Sequence, residues 1–244
     1  MDLLVIVLCL LSERFLVHTI AHHRFHWFMS YGNQVLSRLP TLNPWMLLGL
    51  IVLPLLLFVG VVLHITGHLF FDIIGILFNI AIFYYCIGPV NPFYPVHAKP
   101  VDQMVDDDIG NYLVQANGEL FAVLFWYLIL GPVGILAYRL ISLGRGLTVI
   151  SRQASDLLDL FDWLPARMTA LLYLLVGNFQ SGYHYYNKLF FSLPVKNNAL
   201  LSECGMAAID NREQKTMLHA ENLVEHATIV FLVLLAFCTI VAWV

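Results

Sequence analysis

WMLLGLIVLPLLLFVGVVLHI, Trp45 to Ile65, decides the fold. It carries no Asp, Glu, Lys or Arg, and the charge-free interval around it runs from Arg38 to Asp72. A helix needs about 20 apolar residues to cross about 30 Å of hydrocarbon. Lipid offers no partner for peptide groups, and a helix satisfies them within itself. Working outward, Leu69 to Val90 reads as a second span with one carboxylate, Asp72, near its start. The link from His64 to His68 is short, so the two spans are expected to form a tight antiparallel hairpin. Gly88-Pro89 and Asn91-Pro92 stop the second helix. Leu120 to Tyr138 is a third span, between Glu119 and Arg139, and Gly131-Pro132 predicts a kink in it. Ala227 to Val244 is the last apolar run.

Composition agrees. The chain of 244 residues is 60% hydrophobic and 11% charged, and its mean hydropathy is +0.79. Soluble domains carry about 25% charged residues, so the class is an all-α, polytopic helical membrane protein. A β-barrel would show segments of about ten residues alternating apolar and polar, whereas these runs are unbroken. The lipid bilayer is therefore the first partner. A net charge of −4 offers no basic surface for nucleic acid. Cys9, Cys86, Cys204 and Cys238 have no zinc or redox spacing and read as lipid- or core-facing thiols.

Two segments leave the span count at about four to six. Asp2 to Ser12 is short before Glu13-Arg14; it lacks the marks of a signal peptide and reads as a retained first helix. Leu164 to Val176 is also short, and is a span, a re-entrant helix or an interfacial one. If both cross, loops 13–44, 91–118 and 180–225 share one side. The positive-inside rule then makes that side cytoplasmic, against which loop 142–163 carries Arg145 and Arg152 to the other face. No repeat or low-complexity segment is visible, and 1–244 reads as a single integral membrane domain.

Most charges that adjoin apolar helices form one candidate set for an anionic ligand: Glu13, Arg14, Arg139, Asp159, Asp162 and Arg167. Charge near hydrocarbon is costly unless it is paired, snorkels or lines a wet cavity. Asp159 and Asp162 are spaced to share a helix face, Pro165 suits a first helical turn, and Arg167 follows it. A guanidinium there pairs with a carboxylate, locking two helices, or grips an anionic group bidentately. Asp102 and Asp106 have the spacing to hold a hard cation, although carboxylates at a helix start also suit the dipole. His18, His22, His23 and His26 crowd the first loop, and His64 and His68 flank a turn; no metal signature accompanies them, and no metal site is assigned. Walker A, GxGxxG and GxSxG motifs are absent.

Four segments resemble the AmpE family of Gram-negative inner-membrane proteins, within the CobD/CbiB-like superfamily. They are Leu10-Leu-Ser-Glu13-Arg14-Phe15; Phe121-Ala-Val-Leu-Phe125-Trp126 with Gly131-Pro132 and Tyr138-Arg139; Leu158-Asp159-Leu-Phe-Asp162-Trp163-Leu164-Pro165-Ala-Arg167, continuing through Tyr173 and Gly177; and the last apolar run. The Asp-Trp-Leu-Pro-Ala-Arg segment is the most specific. The AmpE resemblance implies a multi-pass inner-membrane regulator or signalling protein, linked to β-lactamase induction and the sensing of peptidoglycan fragments. Such a protein would bind a small anionic ligand or a cytoplasmic or membrane protein partner.

The superfamily implies an alternative, a membrane-embedded transferase or ligase using magnesium and a phosphorylated substrate. CobD/CbiB-type enzymes join an aminopropanol phosphate to a cobalamin precursor with ATP, and Asp159, Pro165, Ala166 and Arg167 match their acidic-then-Pro-Ala-Arg pattern. Where that pattern expects an Asn-Thr-Leu-Asp-Ser-type stretch, this chain has Arg139-Leu-Ile-Ser-Leu-Gly-Arg-Gly146, and N-terminal Gly-Asp-Pro and His-Pro elements are missing. These departures argue against the cobinamide-forming reaction itself. No catalytic residue or cofactor is assigned from the sequence.

Overall fold

The computed structural model describes residues 25–39, 41–66, 73–87, 105–209 and 216–241. The expected first helix, Glu13, Arg14, Asp102, His18, His22, His23 and the link through His68 lie outside them. The described residues are helical, with no strand, in agreement with the all-α membrane class. Their order is α1 His26–Arg38, α2 Pro44–Thr66, α3 Ile73–Cys86, α4 Asp106–Ala116, a π-helical turn Asn117–Phe121, α5 Ala122–Gly144, α6 Ser151–Phe161, α7 Trp163–Val176, α8 Phe179–Leu189, a 3-10 turn Pro194–Lys196, α9 Asn197–Ala208 and α10 Met217–Val241.

Three helical runs among them are long and apolar enough to cross a membrane: Pro44–Ile65, Asp106–Gly144 and Met217–Val241. Two shorter apolar helices accompany them, Leu77–Cys86 and Trp163–Val176. At 1.5 Å per residue, α7 reaches only about 21 Å, short of a full crossing. The chain divides into two compact units, residues 1–89 with 123–161, and residues 90–122 with 162–244.

In the first unit α2 presents Leu57, Phe58 and Val61 outward. Such a surface suits lipid, and its other side buries Leu47, Leu48 and Ile51. The Phe83 ring meets Tyr127 edge-on at 4.7 Å, joining α3 to α5. The predicted kink is present: Gly131 takes φ 65°, ψ −153° inside α5, a backbone that an L side chain rarely adopts, directly before Pro132. Helix α6 is amphipathic, with Ala154 and Leu158 buried one turn apart and Arg152 and Asp156 exposed.

The second unit is built on α7, which packs with α8, α9 and α10. Tyr173 is fully buried and donates its hydroxyl to the Leu113 carbonyl at 3.0 Å, tying α7 to α4. The Thr169 hydroxyl donates to Asn117 Oδ1 at 2.8 Å, so a buried polar pair joins α7 to the π-helical turn. Phe121 stands edge-on to both Tyr173 and Phe231. Helix α7 ends at Gly177, whose N–H still reaches the Tyr173 carbonyl. Asn178 then opens α8, its side chain accepting from the Ser181 N–H at 3.1 Å as an N-cap.

One local expectation is corrected. Asp159 and Asp162 do not share a continuous helix face, because α6 ends at Phe161 and Asp162 stands at the N-cap of α7. Pro165 is the cause: it falls in the first turn of α7, where its missing N–H costs nothing, so the helix restarts just before it. At the start of α4 the acids behave as helix-terminal groups. Asp106, Asp107 and Asp108 occupy the first turn, and the Asp108 carboxylate accepts from the Val105 N–H at 3.2 Å.

Candidate functional site

Arg167 is the best-defined charged group of the second unit. The residue is 2% exposed, and its guanidinium spends its donors on the chain itself. Nε donates to the Phe190 carbonyl at 2.9 Å, Nη1 to the Trp163 carbonyl at 2.7 Å and to Asn197 Oδ1 at 2.6 Å, and Nη2 to the Ser192 carbonyl at 2.9 Å. The Trp163 ring lies 4.3 Å from Cζ, and its indole N–H adds a bond to the Ser192 carbonyl at 3.1 Å. Helix α7, the loop after α8 and the start of α9 are thus fastened by one side chain. A planar fork of five donors does this, whereas an ammonium could not. Among the described residues, the clamp anticipated for Arg167 is made to carbonyls and an amide, with no carboxylate in it.

Arg139 plays the corresponding part in the first unit. It is 2% exposed, and its Nε donates to the Cys86 carbonyl at 2.8 Å. Cys86 is the last residue of α3, where carbonyls lack intrahelical partners, so the bond caps α3 from α5. Asp159, also in that unit, sits on α6 with its carboxyl pushed above the ordinary value, by burial first and Asp156 in addition, while Arg145 pulls it down. Asp162 belongs to the second unit, with its main-chain carbonyl accepting from the Ala166 N–H at 2.9 Å. Of the six predicted residues, each unit thus holds one buried arginine and one aspartate, and Glu13 and Arg14 lie outside the described residues.

The second unit also carries a polar-mouthed cavity that the sequence reading passed over. It has a volume of about 550 Å³ and is lined by Asn178, Phe179, Ile209, His219, Asn222 and His226, among others. It forms where α7 gives way to α8, α9 ends and α10 begins. His219, Asn222 and His226 fall at helical spacing on one side of α10. His219 Nδ1 shares a hydrogen bond of 2.8 Å with the Thr216 hydroxyl. His226 Nδ1 lies 2.7 Å from the Asn222 carbonyl; a carbonyl only accepts, so Nδ1 carries the proton and Nε2 of the neutral ring is the acceptor. The visible signal was His-x-x-Asn-x-x-x-His just before an apolar run, masked by histidines elsewhere that cluster more densely.

The described polar groups of this cavity are neutral amides and imidazoles with one apolar wall. They can hydrogen-bond an anionic or polar head while Phe179 and Ile209 hold an apolar part. Among the described residues no three His, Cys, Asp or Glu side chains gather as a metal site would require. Asp102, half of the pair spaced to hold a hard cation, lies outside the described residues.

No family model matches the chain, and no solved structure matches it. A stretch of 83 residues is 34% identical to a cobalamin biosynthesis protein CobD from Chromobacterium violaceum, covering 31% of this chain and 27% of that protein. The likeness covers less than a third of either chain; it bears on the CobD/CbiB-like superfamily and does not show the AmpE family.

Proposed function

We propose that this chain is a membrane-embedded CobD/CbiB-like protein of a bacterial inner membrane that takes a phosphorylated small molecule as ligand, in the manner of a transferase or ligase. The observation that carries this reading is the 34% identity over 83 residues to a cobalamin biosynthesis protein. The α10 cavity supports it, being of a size that suits a small molecule with a polar head. In this reading the side-chain N–H groups of Asn178 and Asn222 and the imidazole of His219 donate hydrogen bonds to the phosphate, and Nε2 of His226 accepts from a donor elsewhere on the ligand. Arg139 and Arg167 are positioning residues, each turned onto main-chain carbonyls.

The experiment is thermal unfolding of the purified chain with aminopropanol phosphate and with ATP, each with and without magnesium. A ligand at a hundred times its dissociation constant stabilises by about 2.7 kcal/mol, and the midpoint should rise by several degrees. A midpoint unmoved by every combination overturns the reading.

One observation favours a second reading, a non-catalytic AmpE-like regulator that binds an anionic ligand or a partner protein: Arg167, the end of the most specific segment of the resemblance, is committed to holding the fold. Deleting the chain from a host with inducible β-lactamase tests it. Induction that is unchanged removes that reading.

A further inference from the structure

The loop that Arg167 holds has an unusual surface. In Leu189-Phe-Phe-Ser-Leu-Pro-Val-Lys196, Phe191 is 86% exposed, Leu193 73% and Val195 77%. The exposed positions alternate with Ser192 and Pro194, both less exposed. Leu193 has an extended backbone, φ −61° and ψ 152°. Phe191 lies in the turn that ends α8 and Val195 inside the 3-10 turn Pro194–Lys196, so the three exposed apolar groups crowd one short, tightly turned loop.

A free loop of this composition would fold its apolar side chains back onto the protein. This one is held from behind. Arg167 binds the carbonyls of Phe190 and Ser192, and the Trp163 indole N–H binds Ser192 again. The stem is pinned too: Leu189 is buried, and the Ser192 N–H donates to its carbonyl at 3.0 Å. The backbone is thus fixed in a shape that keeps Phe191, Leu193 and Val195 outward.

The flanks identify what meets them. Lys188 and Lys196 stand exposed on either side of the apolar tip. Helix α8 leads into it with exposed Tyr183 and Tyr185. Tyrosine is enriched at membrane–water interfaces, and lysine reaches from apolar surroundings to lipid phosphates. Apolar tip, nearby tyrosines and flanking cations suit the acyl layer, the interface and an anionic headgroup.

We propose that residues 189–196 form a preorganised interfacial anchor, which inserts Phe191, Leu193 and Val195 into the acyl layer of an anionic bilayer with Lys188 and Lys196 at the lipid phosphates. The anchor is independent of whatever ligand the α10 cavity takes.

The test uses the full chain in lipid nanodiscs, with a nitroxide on Phe191→Cys and, for comparison, on exposed Asn198→Cys, in a background with the four native cysteines changed to serine. The ratio of oxygen to water-soluble nickel accessibility reads depth. It should be severalfold higher at 191 than at 198 in phosphatidylcholine, and should rise further with a quarter of phosphatidylglycerol. In a Lys188→Gln, Lys196→Gln variant that further rise should vanish. If the cysteine-free background does not fold, Phe191→Trp in brominated lipids replaces it, and the emission added by this tryptophan should be quenched. Water-like accessibility at 191, or an added emission that bromines leave untouched, would overturn the anchor and assign the patch to a protein partner. Depth at 191 that is indifferent to phosphatidylglycerol would overturn the role of the lysines.

Discussion

Arg167 Nη2 lies 2.9 Å from the main-chain carbonyl of Ser192, a residue 25 positions further along the chain. The same guanidinium holds the Phe190 carbonyl and Asn197 Oδ1, so a single α7 side chain sets the conformation of the loop between α8 and α9. Its position is fixed by Pro165, which starts α7 so that Trp163 and Arg167 lie one turn apart, the ring against the guanidinium.

Removing that fork should be severe. Hydrogen bonds to a charged group are each worth about 1.5–3 kcal/mol, and Arg167→Ala removes four of them, to the Trp163, Phe190 and Ser192 carbonyls and to Asn197 Oδ1. A loss of about 3 kcal/mol or more is expected from the unfolding of the purified protein, read by far-ultraviolet circular dichroism. Arg167→Lys should recover less than half, because one ammonium cannot meet carbonyls on three segments.

Thr169 and Asn117 allow a narrower test. Thr169→Val keeps the shape and leaves Asn117 Oδ1 buried without its donor, costing about 1–3 kcal/mol. Thr169→Ser retains the hydroxyl and should lie within about 1 kcal/mol of the parent. Equal losses for both would show that packing, and not the hydrogen bond, matters there.

Gly177 and Gly60 should differ in sign. A Cβ on Gly177 would run into the Ala208 carbonyl oxygen, with the carbonyl carbon 2.9 Å away. That carbonyl also accepts from the Asn178 N–H at 2.8 Å. Backbone cannot yield cheaply, so Gly177→Ala should cost about 1–3 kcal/mol. A Cβ on Gly60 meets nothing within 4 Å, and Gly60→Ala within α2 should be neutral or stabilise by about 0.5–1 kcal/mol. Melting midpoints of the two variants decide it.

Asp159 predicts a pH dependence. Burial holds its carboxyl above the ordinary carboxylate value, so the fold favours the protonated form. Its contribution is whole below the ordinary carboxylate value and is lost as pH rises through the raised one. Asp159→Asn should abolish that decline and, at neutral pH, be at least as stable as the parent, within about 0.5 kcal/mol. Arg145→Gln should push the carboxyl higher still and carry the decline to higher pH. Stability profiles from acid to neutral pH read both effects.

Long apolar runs were legible because the bilayer demands a fixed length: Trp45–Ile65 became α2 almost residue for residue, and Gly131-Pro132 kinked α5 as those residue types must. The arginines were legible as charges set against apolar helices, but not by partner. A sequence shows other charges, whereas Arg139 and Arg167 bind carbonyls that only the folded backbone brings near. Asp159 and Asp162 were read on one helix because spacing alone does not say that Pro165 restarts it. The α10 cavity was missed because three of its elements, the end of α7, the end of α9 and the start of α10, meet only in three dimensions.

Titration calorimetry of aminopropanol phosphate and of ATP into the purified chain, each with and without magnesium and set beside the variant His219→Ala, Asn222→Ala, tests the proposed function most directly. The account predicts saturable binding of at least one of the two by the parent and at least tenfold weaker binding by the variant, with both proteins equally helical. Heat no greater than dilution for either compound, or equal affinity in parent and variant, would contradict it.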